Sequence, residues 1–134
     1  VVFLNANKIN VNEDKLSDLN VSETKLIESS SSTYFSTDMT MVLRAIEIEA
    51  DCILGAKAID GVYDSDPAVN PDAKKYDELP ISKIVDDRLG VIDLAASVLA
   101  MENKMPMLLF GLNEEDSINK AVSGEKIGTK ITVE

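Results

Sequence analysis

Three short apolar runs constrain this chain most: Val1-Val2-Phe3-Leu4, Cys52-Ile53-Leu54 and Met107-Leu108-Leu109-Phe110. Each is of strand length, and the first is wholly apolar, as a strand buried on both faces of a parallel sheet is. Elsewhere the apolar period changes to three and four. After Ser36-Thr37-Asp38, the residues Met39, Val42, Leu43, Ile46 and Ala50 recur at helical spacing. They predict a helix with that face buried, Thr37 as N-cap and Asp38 in the first turn, where a carboxylate suits the helix dipole. Glu47 and Glu49 are expected to face outward or toward a partner. Ile81 to Asp87 and Ile92 to Asn103 also read as helices, the second more apolar all round and hence more buried. Asp93, at the start of the second, reads as a structural cap. Asp116 to Val122 gives a short helix, and Gly128 to Val133 a closing β-segment. This order, with Asp51 to Ala56 as the central strand, is α/β: a three-layer αβα sandwich around a largely parallel sheet.

The chain reads as one domain, 1–134. Within it Asn5 to Ser32 is polar and ends in a run of serines. Its Val11, Leu16, Leu19 and Leu26 are too scattered to build a core, so a flexible insertion is expected. A short amphipathic helix around Glu13 to Leu19 is the alternative.

Composition removes several function classes. The chain has no histidine and one cysteine. A histidine-based catalytic triad, a His or multi-Cys zinc site and a disulfide framework are excluded within it. Cys52 reads as a small buried hydrophobe in a reducing compartment. The formal net charge of −11 argues against nucleic acid and anionic membrane surfaces as partners. No apolar run reaches the length of a membrane span, and Val1 opens no secretory signal. The expected location is cytoplasmic, or plastid if the source is eukaryotic. The chain starts inside an apparent strand and is expected to be a piece of a longer one. Its arginines are Arg44 and Arg88 alone. An anionic ligand would have to rely on lysine, backbone N–H groups or Mg²⁺.

Two stretches can carry chemistry. The first is Gly55 to Pro67, GAKAIDGVYDSDP, a loop directly after the central strand. Ligands of open α/β sheets sit outside the carboxyl ends of strands. The plain reading is an Asp-Gly turn followed by a solvated acidic loop, and pattern alone does not separate the two. A calcium loop starting at Asp64 fails, because Val69 and Lys75 stand where glycine and glutamate are required. No other metal site is expected. The second stretch is the helix start at Ser36-Thr37, where free N–H groups and hydroxyls suit an anion. Asp38 would repel a phosphate there unless a cation lies between them, and plain capping is the simpler account. No glycine-rich loop with lysine, of the kind that cradles phosphates, occurs in the chain.

The loop GAKAIDGVYDSDP resembles the nucleotide-binding loop of bacterial-type UMP kinases, members of the amino-acid kinase family. STDMTMVLRAIEIEAD (Ser36 to Asp51), NPDAKKYDEL (Asn70 to Leu79), LGVIDLAASVLAMENKMPMLLFGLN (Leu89 to Asn113) and GEKIGTKI (Gly124 to Ile131) are similar to that family in order and spacing. The resemblance covers Tyr34 to the end, and weakly Val1 to Ala6, and corresponds to the C-terminal half of such an enzyme. It implies transfer of the ATP γ-phosphoryl group to UMP in pyrimidine nucleotide biosynthesis, with Mg²⁺ accompanying ATP. It implies that Tyr63 lies along the adenine, that Asp66 contacts the ribose or base edge, and that Lys57 contacts the nucleotide. Thr33, Tyr34, Phe35, Ser36 and Thr37 would face UMP, and Asp38 is the candidate for a catalytic role. Ser31, Ser32 and Thr33 stand where the family carries Gly, Asn and Pro, and Gly55 replaces a frequent lysine. The implied partners are the N-terminal half of the enzyme, which supplies the phosphate cradle, and further copies in a hexamer regulated by GTP and UTP. Two other readings remain. One is another amino-acid kinase, such as an aspartate or carbamate kinase, against which VIDLAA and GEKIGT argue. The other is a non-catalytic nucleotide-binding or regulatory module.

Overall fold

A computed structural model describes residues 2–4 and 36–133. The stretch Asn5 to Ser32 and the residues Thr33, Tyr34 and Phe35 fall outside them. The described elements are β1 (Val2–Leu4), α1 (Thr37–Glu47), β2 (Cys52–Lys57), β3 (Glu78–Pro80), α2 (Ile81–Asp86), α3 (Leu94–Glu102), β4 (Met107–Gly111), α4 (Ser117–Ser123) and β5 (Thr129–Thr132).

The strands form one sheet in the order β1-β2-β4-β5-β3. The two apolar runs β2 and β4 lie side by side and parallel, from Ile53 opposite Met107 to Lys57 opposite Gly111. β3 and β5 are also parallel, whereas β1 meets β2, and β4 meets β5, antiparallel. β3 was not expected from the sequence. It is three residues long and ends in Pro80, a residue tolerated on a sheet edge because its missing N–H costs nothing there.

Side chains alternate across the sheet, and the two faces bury different helices. On one face Ile53, Met107, Leu109, Ile131 and Leu79 pack with Met41, Val42 and Ala45 of α1, Ile81 and Ile84 of α2, and Ala96 and Ala100 of α3. On the other, Leu54 and Phe110 pack with Ala121 of α4. The architecture is therefore three layers, α/β/α.

The α1 helix departs from the expected pattern in two ways. Its N-cap is Ser36, not Thr37: Ser36 has extended φ/ψ, and its hydroxyl accepts from the Met39 N–H at 3.1 Å. Its buried stripe runs through Met41, Val42 and Ala45, while Leu43, expected to be buried, is 44% exposed. Met41 lies over Gly55 of β2. A Cβ there would lie 3.7 Å from the Met41 sulfur and 2.6 Å from Leu109 Cδ2. The close approach is thus to Leu109 of β4, and Met41 packs over Gly55 at ordinary contact distance. The α3 helix begins as expected, with Asp93 accepting from the Ala95 and Ala96 N–H groups at 2.8 and 3.3 Å.

Candidate functional site

β2 and β4 end at Lys57 and Gly111 on the same side of the sheet, and the chain leaves β2 into the Gly55 to Pro67 loop. Outside this end lies a cleft of about 630 Å³. One wall is Lys57, Ala58 and Ile59 with the hairpin residues Tyr63, Asp64 and Asp66; the other is the turn after α2, Asp87 to Val91. The three residues singled out in the loop, Lys57, Tyr63 and Asp66, thus line one cavity.

The N-termini of α1 and α3 converge on the same end. The Lys57 ammonium donates to Asp38 Oδ1 in an ion pair whose side chains are only 21% and 16% exposed. The second oxygen, Asp38 Oδ2, accepts from the Asp93 N–H at 3.0 Å. Asp38 therefore ties the end of β2 to the caps of two helices. The cation beside Asp38 is Lys57. Ser36 is occupied in capping, and Thr37 is an exposed first-turn residue.

The loop after β2 returns as a hairpin. Tyr63 bridges Lys75, flanked by hydrogen bonds from Asp64 N–H to Lys74 O at 3.1 Å and from Tyr76 N–H to Val62 O at 2.8 Å. At its base the Tyr63 hydroxyl donates to Asp60 Oδ1 at 2.7 Å, and Lys75 Nζ donates to Asp60 Oδ2 at 2.9 Å. Desolvation is the largest single influence on Asp60 and acts upward. Hydrogen bonds from Lys75 and Tyr63, with the Lys75 charge, together outweigh it and hold the carboxyl below its ordinary pKa. Hydrogen bonding to Asp60 raises both Tyr63 and Lys75 above their ordinary values. Near the tip, Asp66 Oδ1 accepts from the Ala68 N–H at 2.9 Å, shaping the turn. Asp64 Oδ1 accepts from the Lys74 N–H at 3.0 Å, and this bond lowers the Asp64 pKa.

The sequence did not reveal the opposite wall. Leu89 and Val91 give it apolar character, and Arg88 adds a cation on a left-handed backbone, φ 49°. The only local signal is the Arg-Leu-Gly run that ends α2. Among the described residues no group of three or more Cys, Asp or Glu side chains is placed to hold a metal ion, and no helix is long and apolar enough to cross a membrane.

A sheet with helices on both faces, with a lysine-lined cleft at the ends of a parallel strand pair, defines an α/β protein whose cleft lies where open α/β sheets take their ligands. Residues 7–111 match the Amino acid kinase family, and the chain belongs to it. It is 52% identical over 101 residues to a uridylate kinase of Pediococcus pentosaceus, an alignment covering 75% of this chain and 42% of that protein. The crystal structure of UMP kinase from Bacillus anthracis superposes with a TM-score of 0.71 at 36% identity, covering 77% of this chain and 43% of that one. UMP kinase from Ureaplasma parvum gives 0.67 at 35% identity, covering 74% and 43%. The chain thus spans well under half the length of the relatives it matches.

Proposed function

We propose that this chain is the ATP-binding part of a UMP kinase, which transfers the γ-phosphoryl group of ATP to UMP and yields ADP and UDP. The observation that carries the reading is the convergence of Lys57, Tyr63 and Asp66 on one cleft, beside an Asp38–Lys57 pair at two helix N-termini. Phosphoryl transfer asks the protein for positioning and for positive charge rather than covalent chemistry, so a chain without histidine suits it. In this reading the Tyr63 ring lies against the adenine and Asp66 holds the nucleoside. Lys57, aimed by Asp38, offers its charge to the phosphates. Asp38 is then a positioning residue that fixes the lysine. Ser36 and Thr37 lie at the same end of α1 and would belong to the UMP side, with Thr33, Tyr34 and Phe35. Mg²⁺ in kinase sites takes most of its ligands from substrate phosphates and water. The metal would arrive with ATP, held by the phosphates and water, and would neutralise charge on the transferring group.

The partner that completes the enzyme is its N-terminal half, supplying the phosphate cradle, and the assembly is an oligomer acting in cytoplasmic pyrimidine nucleotide synthesis. The second reading, a nucleotide-binding module without catalysis, draws on one observation. Lys57, the cleft cation nearest the strand end, is already paired with Asp38. Calorimetric titration with ATP and Mg²⁺, alongside a coupled ADP-release assay with UMP, tests both. The expected result is ATP binding by this chain, with UDP formation only once the N-terminal half is added. Failure to bind ATP refutes the site. Binding without turnover in the reconstituted protein favours the module.

A further inference from the structure

The base of the hairpin that carries Tyr63, Asp64 and Asp66 is closed in an irregular way. Val62 and Tyr76 face each other as a pair that would exchange two backbone hydrogen bonds in a regular antiparallel ladder. One is present, from Tyr76 N–H to Val62 O at 2.8 Å. In place of the other stands the hydroxyl of Thr129, from the start of β5. Thr129 Oγ1 accepts from the Val62 N–H at 2.9 Å and donates to Tyr76 O at 2.5 Å. It is a fully buried polar side chain on the sheet face that also buries Ile131. Valine would fill the same volume there, so the hydroxyl is required by these two bonds rather than by packing. The surroundings are shaped to admit it. A Cβ on Gly61 would lie 2.6 Å from Thr129 Oγ1. Gly128, at φ +61°, holds the preceding turn so close to β4 that a Cβ would come within 2.1 Å of Leu109 O. The return strand is also held one residue on, where Asp77 O accepts from the Lys130 N–H at 2.9 Å and β3 pairs with β5; Thr129 is what ties the outgoing strand, at Val62, to the same point of the sheet.

We infer that Thr129 is a positioning residue for the nucleotide hairpin: its hydroxyl, inserted between Val62 and Tyr76, sets where Tyr63 and Asp66 stand relative to Lys57. This rests on the proposed ATP site for its functional consequence, but the clamp itself can be read without nucleotide. The test uses the whole chain with Thr129→Val, which keeps shape and removes both bonds, and Thr129→Ser, which restores the hydroxyl. Hydrogen exchange of the free protein should be faster in the valine variant for amides from Val62 to Tyr76, unchanged in β2 and β4, and restored by serine. ATP with Mg²⁺, followed by calorimetry, should bind about tenfold more weakly to the valine variant and recover with serine, the loss of roughly one well-placed interaction. UMP binding to the reconstituted enzyme should hold. Unchanged exchange in the hairpin, or loosening of β2 and β4 in step with it, overturns the inference. So does undiminished ATP affinity when the hairpin has loosened. Should the unsubstituted chain bind no ATP, the reading of the site fails, and the exchange measurement still decides the clamp. If Thr129→Val does not fold, Gly61→Ala presses on the same hydroxyl from the hairpin side and should produce the same selective loosening.

Discussion

Adding one methyl group at Gly55 probes the packing of β2 against Leu109 of β4. A Cβ built there lies 2.6 Å from Leu109 Cδ2, well inside van der Waals contact, and Leu109 is fully buried, so its side chain must shift within a packed core. Overpacking of this kind costs about 1–3 kcal/mol. Against that, alanine in a strand interior is favoured over glycine by about 0.5–1 kcal/mol. Gly55→Ala should therefore destabilise the fold by about 0.5–2 kcal/mol, lowering Tm by roughly 2–10 °C for a domain of this size. The contact with Leu109 makes a sharper claim possible. Leu109→Ala alone should cost about 2–5 kcal/mol by opening a cavity. In that background the clash is gone, and Gly55→Ala should become neutral or stabilising by up to about 1 kcal/mol. Urea unfolding followed by circular dichroism, with unchanged m-values, gives all four corners of the cycle. Equal destabilisation by Gly55→Ala in both backgrounds would refute the argument, because the cost would then not come from Leu109.

Two further outcomes follow from the polar groups. Asp38→Asn removes the charge partner of Lys57 and weakens the acceptor for the Asp93 N–H, so it should lower stability by about 1–3 kcal/mol in the same unfolding assay; the companion Lys57→Met in the Asp38→Asn background should add less than it costs alone, and additive losses would show that the two do not interact. Tyr63 should ionise above its ordinary value of 10.0, because its hydroxyl donates to Asp60, and Asp60→Asn should bring it back toward that value in an ultraviolet or NMR titration. The signs oppose each other. The Tyr63 contribution is complete below pH 10 and fades as pH rises through the raised pKa. That of Asp60, whose pKa lies below 3.8, is complete above that value and fades as pH falls through the lowered one.

Much of this architecture could be read from residue order because its signals are local. The runs around Ile53 and Leu109 have strand length and apolar content, and both formed strands in the expected places. Asp93 read as a cap because a side chain two residues from the N–H it binds leaves its mark in sequence. β3 left no such mark. Its pairing joins Glu78 to Lys130, and nothing near Glu78 announces a partner so distant. The same holds for the cleft. The wall from Lys57 to Asp66 follows a strand directly and was visible as a loop; Asp87 to Val91 becomes a wall only because α2 packs where it does. The inward turn of Met41 in place of Leu43 depends on which side of α1 meets the sheet, which the helical period of these residues leaves open. The pairing of Lys57 with Asp38 was not foreseen, since the two are separated by a helix and a strand.

The position of β5 between β4 and β3 has a consequence for how the molecule is made. In the described sheet β3 has β5 as its only neighbour, and the closure spans 52 residues from Glu78 to Lys130. A nascent chain that has already emitted β3 and its preceding hairpin cannot pair them until β5 emerges. At synthesis rates of about 5–20 residues per second, that is an interval of roughly 3–10 s. Through that interval the hairpin waits with its backbone unpaired on the sheet side, while β2 and β4 can already join. Translation thus sets the order in which pairing becomes possible: β2 with β4 first, and β3 with the arm beside the cleft last, on a strand that arrives late.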